Sequence, residues 1–272
     1  MKGIPEHLRT GIVIGIWGNE KTCKTTLALT SPKPIAYFEF DLGGFKRASS
    51  RFREEIESGL VISKTYYIPP QMGVRLTGYK EAWYSFVVDF VKALEDDNVA
   101  TMVVDTSTKC WEVCHKAFLQ EKQDVQMDSN NKLRSGESRL RESLLPVEYG
   151  EPNARMRAIL YAPRTRNRNL ILVHYEGDEY VNKPNPRSGI IESVASGRRT
   201  MEGFRHTQDS VDLMVQTIRE NGKLPKGIIS LCGLSISSEG FEAVEPTFEK
   251  IMFKVASSRG EIEVEEVVHV VS

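Results

Sequence analysis

The chain has 272 residues, 40% hydrophobic and 27% charged, and its 36 Lys+Arg nearly balance 37 Asp+Glu for a formal charge of −1. Such a length buries a substantial core without staples, and the balance excludes a bulk polycation, so any nucleic-acid contact must come from a local patch. The longest uncharged stretch, 227–238, is shorter than the roughly 20 residues of a membrane-spanning helix, and the apolar run 11–17 is followed by Glu20 and Lys21 rather than a cleavage site, so a cytoplasmic chain with no membrane contact is expected.

Residues 11–17 are apolar and β-branched, the pattern of a strand buried on both faces, and a helix is predicted to start directly after it at Lys24. Residues 34–40 read as a second strand. Over 79–95, Trp83, Phe86, Val87, Phe90, Val91 and Leu94 recur at helical spacing and predict an amphipathic helix against a sheet. A third strand is predicted over 100–105, helices over 107–121 and 152–162 (where Pro163 stops or kinks the run), and a fourth strand over 169–174. Two more strands are expected at 210–216 and 227–234, and the segments 122–151 and 177–207 read as loops. At the end, 248–256 and 261–271 alternate in period two around 257–260, which predicts a hairpin. Buried strands separated by helices mean an α/β fold with a mostly parallel central sheet flanked by helices. The expected organisation is a core over 1–240 and an antiparallel β-hairpin extension of the same domain over 241–272.

The four cysteines, Cys23, Cys110, Cys114 and Cys232, form no CxxC pair. Cys110, Cys114 and His115 cluster on a predicted helix without a second ligand pair at zinc spacing, so they read as small packing residues.

Between the first strand and its helix lies Gly18-Asn19-Glu20-Lys21-Thr22-Cys23-Lys24-Thr25, followed by Thr26. The phosphate-loop pattern G-x-x-x-x-G-K-[ST] is met at Gly18, Lys24 and Thr25, with Cys23 in place of the second glycine. Gly18 lets the chain turn out of the strand, backbone N–H groups face phosphate oxygens, Lys24 reaches the β- and γ-phosphates, and the Thr25 hydroxyl serves Mg²⁺. By composition alone such a match arises about 0.1 times in a chain of this length; the strand before it and the helix after it give it weight. A side chain at Cys23 is expected to crowd the loop or force a strained φ. Asp105 ends the third strand, where a carboxylate supports the Mg²⁺ shell. Asp41 follows the second strand and can orient or deprotonate an attacking water, with Glu39 on the same strand face. His174 ends the fourth strand, at the crevice end of a parallel sheet, and can hydrogen-bond a γ-phosphate.

This order of phosphate loop, acidic strand end, Asp strand end and polar strand end resembles the RecA-like P-loop ATPases. More narrowly it looks like the phage single-strand-annealing proteins of the Sak type and related phage nucleotide-binding proteins of the AAA superfamily. The resemblance spans about residues 9–235. It implies ATP and Mg²⁺ as cofactors, conversion of ATP and water to ADP and phosphate, Lys24, Asp41 and His174 as catalytic residues, Gly18 to Thr26 as the nucleotide loop, and Thr25 and Asp105 as metal-side residues. The departures are Cys23 for Gly, Asp41 for Glu and His174 for Gln. The resemblance further implies a homo-oligomeric ring or filament, single-stranded DNA as partner in recombination or replication, and the host cytoplasm as location for a phage-encoded chain.

DNA is then expected at the segments 122–151 and 177–207. Residues 132–168 carry a surplus of five positive charges, with Arg134, Arg139 and Arg141 as candidates, and Lys183 and Arg187 follow in the second segment. Arg198 and Arg199 are candidates for an arginine finger reaching a neighbouring nucleotide. Tyr180 is a candidate stacking residue, whereas Trp83 and Trp111 read as core. Two rival functions remain open at this point: a small-molecule P-loop kinase with a basic lid, and a nucleotide-gated scaffold with attenuated hydrolysis.

Overall fold

The computed structural model describes residues 3–68, 70–128, 132–136, 139–184 and 189–262. Along these run, in chain order, β1 (Val13–Gly18), α1 (Lys24–Leu29), β2 (Ile35–Glu39), α2 (Gly44–Ala48), α3 (Arg53–Glu57), β3 (Val61–Thr65), α4 (Tyr79–Glu95), β4 (Thr101–Asp105) and α5 (Ser107–Gln126). Then follow α6 (Gly150–Tyr161), β5 (Asn169–Pro184), β6 (Ile191–Met201), α7 (Thr207–Ser210), β7 (Leu213–Ile218), β8 (Lys226–Cys232), β9 (Glu242–Val244) and α8 (Phe248–Ser258). The sheet order is β3-β2-β4-β5-β1-β7-β8-β9, with β6 off this path and paired to β5. From β3 to β7 neighbouring strands are parallel; β8 and β9 add an antiparallel edge.

The near-continuous apolar strands have their explanation in two cores, one on each face. Leu170 and Leu172 of β5 join Phe86, Phe90, Cys110, Cys114 and Met156 from α4, α5 and α6. Ile171 and Val173, pointing the other way, join Leu27 of α1 and Ile251 and Met252 of α8. Cys110 and Cys114 are buried there as packing residues, as is Trp83.

Three expectations are corrected. Residues 248–256 are not a strand but most of α8. Thr247 caps it by accepting from the Lys250 amide at 3.2 Å, and Phe248, Ile251, Met252, Val255 and Ala256 are buried. That spacing of i, i+3, i+4, i+7 and i+8 is helical; Phe253 is buried as well, so Ile251, Phe253 and Val255 also alternate, and an apolar run this short fits either period. Residues 263–271 of the expected hairpin lie outside the described residues. The segment 177–207 is not a loop: β5 runs on past the sheet, and β6 returns antiparallel beside it with Tyr180 opposite Ala195 and Asp178 opposite Arg199. Finally, α5 runs to Gln126, so the irregular stretch begins later than expected and contains a short 3₁₀ turn at Pro146–Tyr149. The strand β3 was not foreseen; only Val61 of its five residues is buried, so its apolar signal is weak.

Candidate functional site

The carboxyl ends of β1, β2 and β4 face one crevice together with Tyr175, where the pairing of β5 with β1 ends; β5 lies between β1 and β4. In open parallel sheets this is where ligands bind. A cavity of about 490 Å³ opens there, lined by the chain from Glu20 to Thr26 and by Asp41, Asp105, Thr106 and Tyr175 among others.

The bend from β1 into α1 is held from several sides. Gly18 has φ +150°, and a Cβ there would land on the carbonyl oxygen of Thr217 in β7. Thr22 and Thr217 hydroxyls meet at 2.7 Å, and Thr22 also donates to the Asn19 carbonyl at 2.8 Å. Lys24 turns its ammonium back over the bend, donating to the carbonyls of Gly18 (2.7 Å) and Asn19 (2.6 Å). Burial lowers the Lys24 pKa against the pull of Asp105, Glu20, Glu176 and Asp41, and its ammonium lies 6.0 Å from the Tyr175 ring centre. Cys23 adopts φ +71° and Lys21 φ +58°, so two non-glycine residues of the bend sit in the left-handed region. The expected strain at Cys23 is therefore present in the backbone.

On the floor, Thr25 donates to Asp105 Oδ2 at 2.6 Å, and the Tyr37 hydroxyl donates to the same oxygen. Burial raises the Asp105 pKa, opposed by those two hydrogen bonds and by Lys24. Hydroxyl and carboxylate oxygens together suit a hard cation such as Mg²⁺, which keeps waters and phosphate oxygens in its shell rather than needing an all-protein cage. Among the described residues no group of three or more His, Cys, Asp or Glu side chains could hold an ion unaided.

Glu39 and Asp41 take different parts. The Glu39 carboxylate is buried and accepts from the amides of Gly43 and Phe45, both at 3.2 Å, and from Thr65 Oγ1 at 2.9 Å. It anchors the turn that carries Asp41 and α2. Asp41 itself lines the cavity, and its carboxylate, after burial, raises the Tyr175 phenol.

His174 does not reach the cavity. It is fully buried, its Nδ1 lies 3.0 Å from the Glu202 carbonyl, and among the described residues Nε2 has no hydrogen-bond partner. Burial drops its pKa to about 4. The alternation along β5 turns the next residue, Tyr175, into the cavity instead.

None of the described DNA candidates lines this cavity. Arg134 and Arg139 are exposed, Arg134 donating to the Met127 carbonyl at 2.9 Å. Arg141 forms a two-point pair with Glu148 at 2.9 and 2.6 Å. Much of the positive surplus of 132–168 is met by carboxylates elsewhere: Arg155 pairs with Glu121, Arg164 with Asp212 and Arg168 with Asp97. Lys183 and Arg198 are exposed on the β5–β6 hairpin, and Arg187 lies outside the described residues. Arg199 is already paired, with Glu176 at 2.8 Å and with Asp178.

Sequence reading missed Tyr175 and three basic cavity residues: Arg47 on α2, Arg51 just beyond it, and Arg219 after β7. Arg47 follows Gly43-Gly44 by one helical turn, which was the available signal. Nothing local marks Arg51 or Arg219.

The fold and crevice define an α/β protein with a mostly parallel sheet between two helical layers. Neither a protein-family model nor a curated protein matches the chain. Among the described residues no helix is long and apolar enough to cross a membrane.

Proposed function

We propose that the chain is a RecA-like P-loop protein that binds ATP with Mg²⁺ in the β1–α1 crevice, hydrolyses it, and acts on single-stranded DNA as a ring or filament of identical chains. The observation that carries this reading is the meeting of Thr25 and Asp105 at 2.6 Å directly beneath the bend that Lys24 closes. Three residues singled out for nucleotide chemistry converge there: Lys24 and Thr25 from the start of α1, and Asp105 from the end of β4, far away in sequence.

Bound at this place, Thr25 and Asp105 would hold Mg²⁺, which supplies charge neutralisation on the phosphate oxygens. Lys24 exchanges its two carbonyl partners for phosphate oxygens. Asp41, at the cavity wall beside Tyr175, orients the water. Positioning and charge neutralisation carry such chemistry.

The DNA part rests on the hairpin. It grows out of the same strand that puts Tyr175 in the cavity, and it presents exposed Tyr180, Lys183 and Arg198. An aromatic among cations suits an unpaired strand. A second reading, a nucleotide-gated scaffold without turnover, is favoured by Cys23 at φ +71°.

The test is ATP turnover with and without single-stranded DNA, beside a Lys24→Ala control. The expected result is turnover stimulated by DNA and abolished in the variant. Turnover driven by a metabolite instead would replace this reading with a kinase, and retention of ATP without turnover would replace it with the scaffold.

A further inference from the structure

The cavity carries more positive charge than the phosphate-loop motif accounts for. Its charged lining is five basic residues against three acidic ones. Lys21 and Lys24 belong to the bend; Arg47, Arg51 and Arg219 do not. Among the described residues none of these three arginines has an ion pair, whereas Arg141, Arg155, Arg164, Arg168 and Arg199 all do. Planar guanidinium groups that line a cavity with no carboxylate paired to them are suited to two-point contact with the oxygens of a multiply charged oxyanion such as a phosphate.

Their placement is specific. A methyl group on Gly44 would lie 3.6 Å from both Asp105 Oδ2 and Thr25 Oγ1, so the start of α2 abuts the metal-side pair. A methyl on Gly43 would lie 3.1 Å from an Arg47 Nη1, so that guanidinium is folded over the same corner. On the opposite flank, Arg219 follows Thr217, the residue that locks Thr22 and Gly18 in place. Arg51 lies one turn beyond Arg47 and widens the positive rim.

We propose that Arg47 and Arg219 clamp the terminal phosphate of a bound nucleoside triphosphate from two sides, within one chain. This rests on the nucleotide reading above. The clamp makes a single chain distinguish triphosphate from diphosphate, and it removes the need for Arg198 or Arg199 of a neighbour to supply that charge.

Equilibrium binding of Mg-ATP and of Mg-ADP to the full chain tests this, at a dilution where sedimentation shows single chains. The wild type is expected to prefer ATP. Arg47→Ala and Arg219→Ala are each expected to lower ATP affinity about tenfold, the scale of one charge-assisted hydrogen bond, with ADP affinity within about twofold of wild type. Arg47→Lys, which keeps the charge without the fork, is expected to recover part of the loss. Both arginines are exposed, and thermal melting confirms that the variants fold. Equal losses for ATP and ADP, no loss at all, or an ATP preference seen only in assembled chains would each overturn the clamp. Lys24→Ala separates the two layers: if it loses both nucleotides while the arginine variants change nothing, only the clamp falls. If Lys24→Ala still binds both as the wild type does, the nucleotide reading fails and takes the clamp with it.

Discussion

Replacing Cys23 by glycine is the sharpest probe of the bend. Cys23 holds φ +71° and ψ +23°, a left-handed conformation that costs an L-residue about 1–2 kcal/mol and glycine nothing. Glycine gives back about 0.4–1 kcal/mol because its unfolded chain has more freedom to lose. The net expectation is a stabilisation of about 0.5–1 kcal/mol, or roughly 2 °C in melting temperature for a chain of this size. Cys23→Ala is the necessary companion. It keeps the Cβ and the strained φ but removes the sulfur, so its stability is expected within about 0.5 kcal/mol of wild type. Urea unfolding of the three proteins side by side reads the first effect. Mg-ATP titration reads the second, in which the glycine variant binds tightest because its loop closes without strain. If alanine matches glycine in stability, the backbone argument is refuted. If alanine matches it only in ATP affinity, the obstruction at the cavity wall is the sulfur itself.

Two further outcomes follow from the same geometry. Gly18→Ala places a Cβ on the Thr217 carbonyl oxygen at φ +150°, and is expected to cost about 3 kcal/mol or more in chemical denaturation and to abolish ATP binding. The buried His174, with its pKa near 4, is neutral in the folded chain, so acid favours the unfolded state, which takes up the proton near pH 6.5. Its stabilising contribution is complete above pH 6.5 and is lost as pH falls toward 4, by about 2 kcal/mol between pH 7 and pH 5. In His174→Gln that part of the acid sensitivity is expected to vanish; an unchanged pH–stability curve would contradict the assignment.

Local pattern exposed much of the fold because each signal had a local cause. The runs around Val13–Gly18, Thr101–Asp105 and the first half of Asn169–Pro184 read as strands since both faces are buried. The helix Tyr79–Glu95 matched its predicted range because five side chains of one face, from Tyr79 to Phe90, meet the sheet. The terminal helix was misread where a short apolar run fits either period. The outer halves of β5 and β6 were misread for another reason: their side chains are mostly exposed, so they show no apolar alternation, and only hydrogen bonding between the two arms makes them strands.

The division at the site follows the same physics. Chain order alone marked Gly18, Lys24 and Thr25, since one bend needs those residue types at fixed spacing. It marked Asp41 and Asp105 because strand ends of a parallel sheet meet in one crevice. Only the folded chain separated Glu39 from Asp41, exchanged His174 for Tyr175, and paired Arg199 on its own hairpin. It alone brought Arg47, Arg51 and Arg219 to the cavity. Those outcomes depend on which face a strand residue presents and on partners distant in sequence. Strand register and crossover order set both, and neither is written in any local run of residues.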